Sequence, residues 1–280
     1  MEILATLQCE DQSGIVNALT SAVLEIDGNI IENQQFTDSI TNTFVMRTRF
    51  ESNRTIEQAR ESLNSRLAKF NPILKIRNAD SPKRALILVT KASHCIRDLL
   101  YLRDLGEMPV EFPVVVGNHG ELRTLVESHS IPFIHLATEI QAKSEVETEI
   151  INLIEANRID FIILARYMQI LSPEFCHRYA DRIINIHHSF LPGFKGARPY
   201  HQAHEKGVKV IGATAHFVTK DLDEGPIIEQ DVARVNHAAA PEEFISIGRD
   251  IERRVLSSAV KLFAEDRIFI VGNRTIVFSK

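Results

Sequence analysis

Asn185 and His187 stand two residues apart at the end of the apolar run Arg182-Ile183-Ile184-Asn185-Ile186-His187, just ahead of a Pro/Gly loop at Leu191-Pro192-Gly193. Residues i and i+2 of a strand share a face, so an amide donor and an ionisable imidazole point the same way there. Such a pair can polarise a carbonyl and manage a proton beside it. It can equally satisfy backbone groups at a strand end, and these residues alone leave both readings open. Asp223, in Leu222-Asp223-Glu224-Gly225-Pro226, is by pattern a solvated turn carboxylate, and spacing does not bring it to His187. His216 lies in a strand-like stretch and reads as a partner for a buried neighbour.

The elements that must position these residues form two groups. Alternating and helical patterns over the first 77 residues give strand, helix, two strands that can pair as a hairpin, helix, strand: the βαββαβ order of a ferredoxin-like domain. Asn78 to Arg84 mixes charges with Pro82 and marks a linker, placing the small domain at 1–78, the linker at 79–84 and the larger domain at 85–280. Beyond the linker, the apolar runs Ala85 to Val89, Phe112 to Val116, Pro132 to Leu136 and Phe161 to Ala165 alternate with helix-length segments. This predicts a doubly wound α/β domain with a mostly parallel sheet, whose site lies outside the carboxyl ends of its strands. Glu242 to Phe263 reads as a long helix, and Arg267 to Phe278 as a hairpin turning at Gly272-Asn273.

Composition narrows the partners. The 280 residues are 44% apolar and 25% charged with a net charge of −5, so a chain held to nucleic acid by phosphate contacts is not expected. Cys9, Cys95 and Cys176 are too scattered for a disulfide framework, no ligand spacing among His187, His188, His216 and His237 predicts a metal, and no apolar run reaches membrane-spanning length. The expectation is a soluble cytoplasmic protein that acts on small molecules.

Several ordered motifs carry a resemblance. Asn185-Ile186-His187 with Leu191-Pro192, then Gly196, Gln202-Ala203, Gly212-Ala213-Thr214-Ala215-His216-Phe217-Val218-Thr219 and Leu222-Asp223-Glu224-Gly225-Pro226-Ile227-Ile228, resemble the folate-dependent formyltransferase family. Asp11-Gln12-Ser13-Gly14-Ile15-Val16 and Gly28-Asn29-Ile30 resemble an ACT regulatory domain. Further stretches, among them Ala165-Arg166-Tyr167-Met168-Gln169-Ile170-Leu171, are similar to members of the family that release the formyl group to water. The resemblance implies a catalytic trio of Asn185, His187 and Asp223, with Asn185 and His187 at the oxyanion and Asp223 orienting His187. It implies hydrolysis of 10-formyltetrahydrofolate to formate and tetrahydrofolate, without a cofactor or metal.

The folate is expected where Tyr167, Met168, Gln169, Ile170 and Leu171 meet the Thr219 to Asp223 loop, with Leu222 and His188 beside it. Gln169 stands where glycinamide ribonucleotide formyltransferases usually have Arg. The ACT resemblance implies an amino-acid effector such as glycine or methionine near Gly14, Gly28 and Asn29, and a homo-oligomer. The alternative reaction is formyl transfer to a small amine such as glycinamide ribonucleotide. Against it, the turn Thr90-Lys91-Ala92-Ser93-His94 has no glycine with which to cradle a phosphate, although Lys91, Ser93 and Arg97 are there to meet an anion.

Overall fold

The computed structural model describes residues 1–138, 140–192 and 199–279 and divides into two compact units. Unit 1 comprises Met1–Pro82 with Asp266–Gly272 and Ile276–Lys280. Its elements are β1 (Glu2–Glu10), α1 (Ile15–Glu25), β2 (Asn29–Asp38), β3 (Thr43–Glu51), α2 (Ile56–Leu67) and β4 (Ile73–Asn78), in a four-stranded antiparallel sheet of order β2-β3-β1-β4. The βαββαβ expectation is met. Thr55 and Gln58 close a capping box that starts α2. The two helices bury one face of the sheet through Ile3, Leu7, Leu19, Val23, Met46, Phe50 and Leu63.

The opposite face is covered from far along the chain. Phe269 and Val271, on β12 (Ile268–Val271), cluster with Val45, Ile276 and Phe278. The buried guanidinium of Arg267 shares Glu32 with that of Arg47, at 3.0 Å each. The assignment of 85–280 to one domain is overturned: most of the carboxyl-terminal segment packs within unit 1, where Phe269 and Val271 bury Val45 and Arg267 joins Arg47 on Glu32. The expected linker is shorter as well, since Lys83 and Arg84 already run in β5.

Unit 2 (Lys83–Glu265 with Asn273–Thr275) holds β5 (Lys83–Val89), α3 (His94–Asp104), β6 (Val110–Gly117), α4 (Arg123–Glu127), β7 (Phe133–His135), α5 (Lys143–Ala156) and β8 (Phe161–Ala165). There follow α6 (Pro173–Arg178), β9 (Ile183–His187), α7 (Pro199–Glu205), β10 (Val210–Phe217), β11 (Ile227–Arg234) and α8 (Pro241–Ala264). Its seven-stranded sheet has the order β11-β10-β9-β8-β5-β6-β7, with β5 to β9 parallel and β10 antiparallel to both its neighbours. Leu86, Leu88, Val116, Ile162 and Leu164 face α5 and α6, while α8 covers β9, β10 and β11 and packs on α3. The chain leaves β5 toward β6 and β7, then returns to place β8 on the other side of β5. That reversal opens a crevice at the carboxyl ends of β5 and β8, where open α/β sheets take their ligands. No helix among the described residues is long and apolar enough to cross a membrane.

Candidate active site

A cavity of about 580 Å³ lies at those strand ends, and Asn185, His187 and Asp223 all line it. Asn185 and His187 extend from one face of β9, and the antiparallel register sets Asn185 opposite His216 and His187 opposite Thr214 on β10. Asp223 arrives from the loop after β10 in the left-handed region (φ 57°), which Asp tolerates better than most residues. That loop is pinned to the end of β10: the Phe217 N–H donates to the Pro226 carbonyl at 2.9 Å, and a Cβ at position 225 would overlap the Phe217 carbonyl oxygen. Glycine is therefore required at 225 by close approach of two backbones. Gly225→Ala should displace the loop carrying Asp223 and lower kcat at least about tenfold, with a lower Tm; unchanged turnover and melting would refute this account of the loop.

The trio is tightly connected. Asp223 Oδ2 is 3.1 Å from His187 Nδ1, and its Oδ1 is 3.5 Å from His216 Nε2. His216 donates from Nδ1 to the Phe217 carbonyl at 2.8 Å, and its Nε2, which faces Asp223 Oδ1, also lies 3.2 Å from the Asn185 amide nitrogen. The Asn185 amide also borders the cavity, where it can meet a ligand oxygen. Burial opposes the charge on Asp223, but hydrogen bonds from His187 and His216 outweigh it and hold the carboxyl well below the usual range. His216 is thus a buried histidine set against both Asp223 and the Asn185 amide.

Every residue expected to contact folate borders the same cavity. Tyr167 and Leu171 are buried against α5 and α6; Met168, Ile170 and Leu222 are exposed apolar side chains at the opening, with Gln169, Thr219 and His188. The Met168 N–H donates to Thr90 Oγ at 2.9 Å, tying this segment to the end of β5. Burial, with the charge of Glu147, pushes the Tyr167 phenol up to about 12. Gly193 and Gly196 of the motif lie outside the described residues. In unit 1, Gly14 takes φ 97° at the start of α1, a Cβ on Gly28 would collide with Val23, and Asn29 is exposed at the start of β2. In the turn after β5, Lys91 pairs with Glu121 and Arg97 donates to Ser93, while Ala92 and His94 line the cavity.

The sequence reading missed a second polar group on the cavity wall. Glu252, 1% exposed, accepts the Tyr200 hydroxyl at 2.6 Å and lies 2.8 Å from His94 Nε2 and 3.4 Å from Arg166 Nε. A signal was present: Glu252 occupies the apolar stripe of α8, between Gly248 and Val255-Leu256-Ala259. His94, Cys95 and Glu252 bring ligand-type atoms within 4.8 Å of one another. The Glu252 oxygens are already engaged, burial pushes the Cys95 thiol up, and Arg166 adds positive charge, so the group is built for hydrogen bonding and not for a cation.

The formyl transferase family model matches residues 83–260. Formyltetrahydrofolate deformylase of Escherichia coli K12 is 44% identical over 99% of this chain and 98% of its own, and that of Bacillus subtilis 45% over 98% and 92%. The solved formyltetrahydrofolate deformylase of Burkholderia mallei superposes with a TM-score of 0.95 at 42% identity, covering 99% of both chains. Glycinamide ribonucleotide transformylase 1 of Symbiobacterium toebii, by contrast, covers 71% of this chain at 28% identity and a TM-score of 0.67. The chain therefore belongs to the formyl transferase family and, along nearly its whole length, to the formyltetrahydrofolate deformylases within it.

Proposed function

We propose that the protein hydrolyses 10-formyltetrahydrofolate to formate and tetrahydrofolate, with Asn185, His187 and Asp223 as its catalytic residues. The observation that carries this reading is the convergence of the three on one cavity, with His187 Nδ1 held 3.1 Å from Asp223. A formamide resists water because its nitrogen donates into the carbonyl, so the addition step needs donors where the oxyanion forms. Asn185 and His187 supply them, each worth about 3 kcal/mol. Asp223, charged at neutral pH, orients the imidazole and stabilises its protonated form while protons pass from water to N10.

The exposed apolar side chains Met168, Ile170 and Leu222 suit the flat pterin at the mouth of the cavity. Water as acceptor is favoured by the turn after β5, which has no glycine and whose Lys91 is spent on Glu121. The antiparallel βαββαβ sheet of unit 1 supports its reading as an ACT domain, with glycine or methionine as effector near Gly14, Gly28 and Asn29 in a homo-oligomer. One experiment tests both units: purified protein is given 10-formyltetrahydrofolate without any amine, with and without glycine or methionine. Formate and tetrahydrofolate should appear in equal amounts, at a rate that one of the amino acids changes. Release that requires glycinamide ribonucleotide would overturn the hydrolytic reading, and a rate indifferent to both amino acids would remove them as effectors.

A further inference from the structure

Hydrolysis creates a second product inside the cavity. The C–N10 bond breaks, the formyl carbon keeps its oxygen and gains that of water, one water proton goes to N10, and the acid proton is lost at neutral pH. Formate is thus born as an anion beside two carboxylates, Asp223 and Glu252, both held below their ordinary range. It needs a countercharge. Lys220 and Arg249 border the cavity but are exposed to solvent; Arg166 is the cation set within its wall, its side chain 18% exposed.

Arg166 is incompletely used by the fold. Its guanidinium makes no hydrogen bond with the described residues, its buried Nε has no acceptor in bonding geometry, and its ion pair with Glu252 is long, 3.4 Å. Its backbone is left-handed (φ 61°), a conformation that a long side chain seldom adopts. Glu252 is held back by other partners. Tyr200 lies flat on α8, where a Cβ at 248 would overlap its ring, and so reaches Glu252 one turn further on, while His94 meets the other oxygen. His188 borders the same cavity as Arg166 and feels its charge. Its ring is 5.1 Å from that of His187 and 6.4 Å from that of Tyr200, and it too makes no hydrogen bond with the described residues.

We propose that Arg166 and His188 form a subsite for a small carboxylate, and that its occupant is the formate released by hydrolysis, a step that rests on the function proposed above. The planar guanidinium fork matches the two oxygens of formate, and the imidazole N–H of His188 adds a donor on the side of the reacting carbon. Burial first, then the charges of Arg166 and His187, push His188 down to about 4, against the opposing pull of Glu252 and Asp223. Its ring is therefore a neutral donor at the pH of turnover, and an anion seated beside it would raise that value.

The test is potassium formate added to the folate-free protein at constant ionic strength, with the His188 ring followed by NMR. Saturable binding that raises the His188 midpoint is expected. Arg166→Gly, at a backbone conformation that suits glycine, should weaken that binding at least about tenfold. Glu252→Gln removes the competing carboxylate and should tighten it several-fold. Formate affinity unchanged in Arg166→Gly, weakened in Glu252→Gln, or matched by chloride in the wild type would overturn the subsite. Failure of the wild type to release formate from 10-formyltetrahydrofolate, with formate still bound through Arg166, would instead overturn the hydrolytic reading and leave the subsite standing.

Discussion

Asp223→Asn is expected to lower kcat by about three to four orders of magnitude with little change in KM, because it keeps the shape of the loop and removes the charge that His187 works against. In the proposed mechanism the carboxylate does two things that an amide would not. It selects the His187 tautomer with the proton on Nδ1, 3.1 Å away, and it stabilises the imidazolium that forms during proton transfer. Linkage gives a second readout. The native value lies below the unfolded one, so Asp223 stabilises the fold above the ordinary carboxylate range, and this contribution is lost as pH falls through the native value. The Asn variant should lack that part of the acid transition in urea unfolding. Turnover within tenfold of wild type would remove Asp223 from the mechanism.

His187→Ala should cost as much as Asp223→Asn, and the double variant little more than either alone. Two groups that act as a unit through one hydrogen bond are lost together once either is gone. Steady-state kcat on the three variants measures this; losses that multiply in the double variant would mean that His187 and Asp223 act in separate steps. Far-UV circular dichroism should be unchanged in all three, since neither side chain belongs to a hydrophobic cluster.

The strand that presents Asn185 and His187 was legible because an apolar run ahead of a Pro/Gly loop is a local pattern, and β9 extends far enough to carry both. Asp223 was placed by resemblance alone. Its approach depends on the backbone contact at Gly225 and on the β10 register, which shifts between Ala215 and His216 in the pairing with β11 and leaves no periodic trace. His216 was read correctly as a buried partner, but which neighbour it serves follows from the pairing of β9 with β10, a non-local fact. His94, Tyr200 and Glu252 come from three separate helices and Arg166 from the loop after β8, and only the glutamate in the apolar stripe of α8 announced itself. The carboxyl-terminal hairpin was visible at Gly272-Asn273, whereas the surface it covers was not, because a hairpin records its own turn and not what lies beneath it.

The cover that Phe269, Val271 and Phe278 provide for the first sheet bears on how the polypeptide is made. A ribosome delivers β1 to β4 long before those aromatic and aliphatic side chains emerge, so the nascent amino-terminal sheet keeps Val45 and its neighbours open to water until unit 2 has been synthesised. A fragment cut after Pro82 would leave Val45 uncovered and Glu32 without Arg267 and should unfold at lower denaturant than the same sheet in the full chain, and a nonsense codon before Phe269 would injure the beginning of the molecule as well as its end.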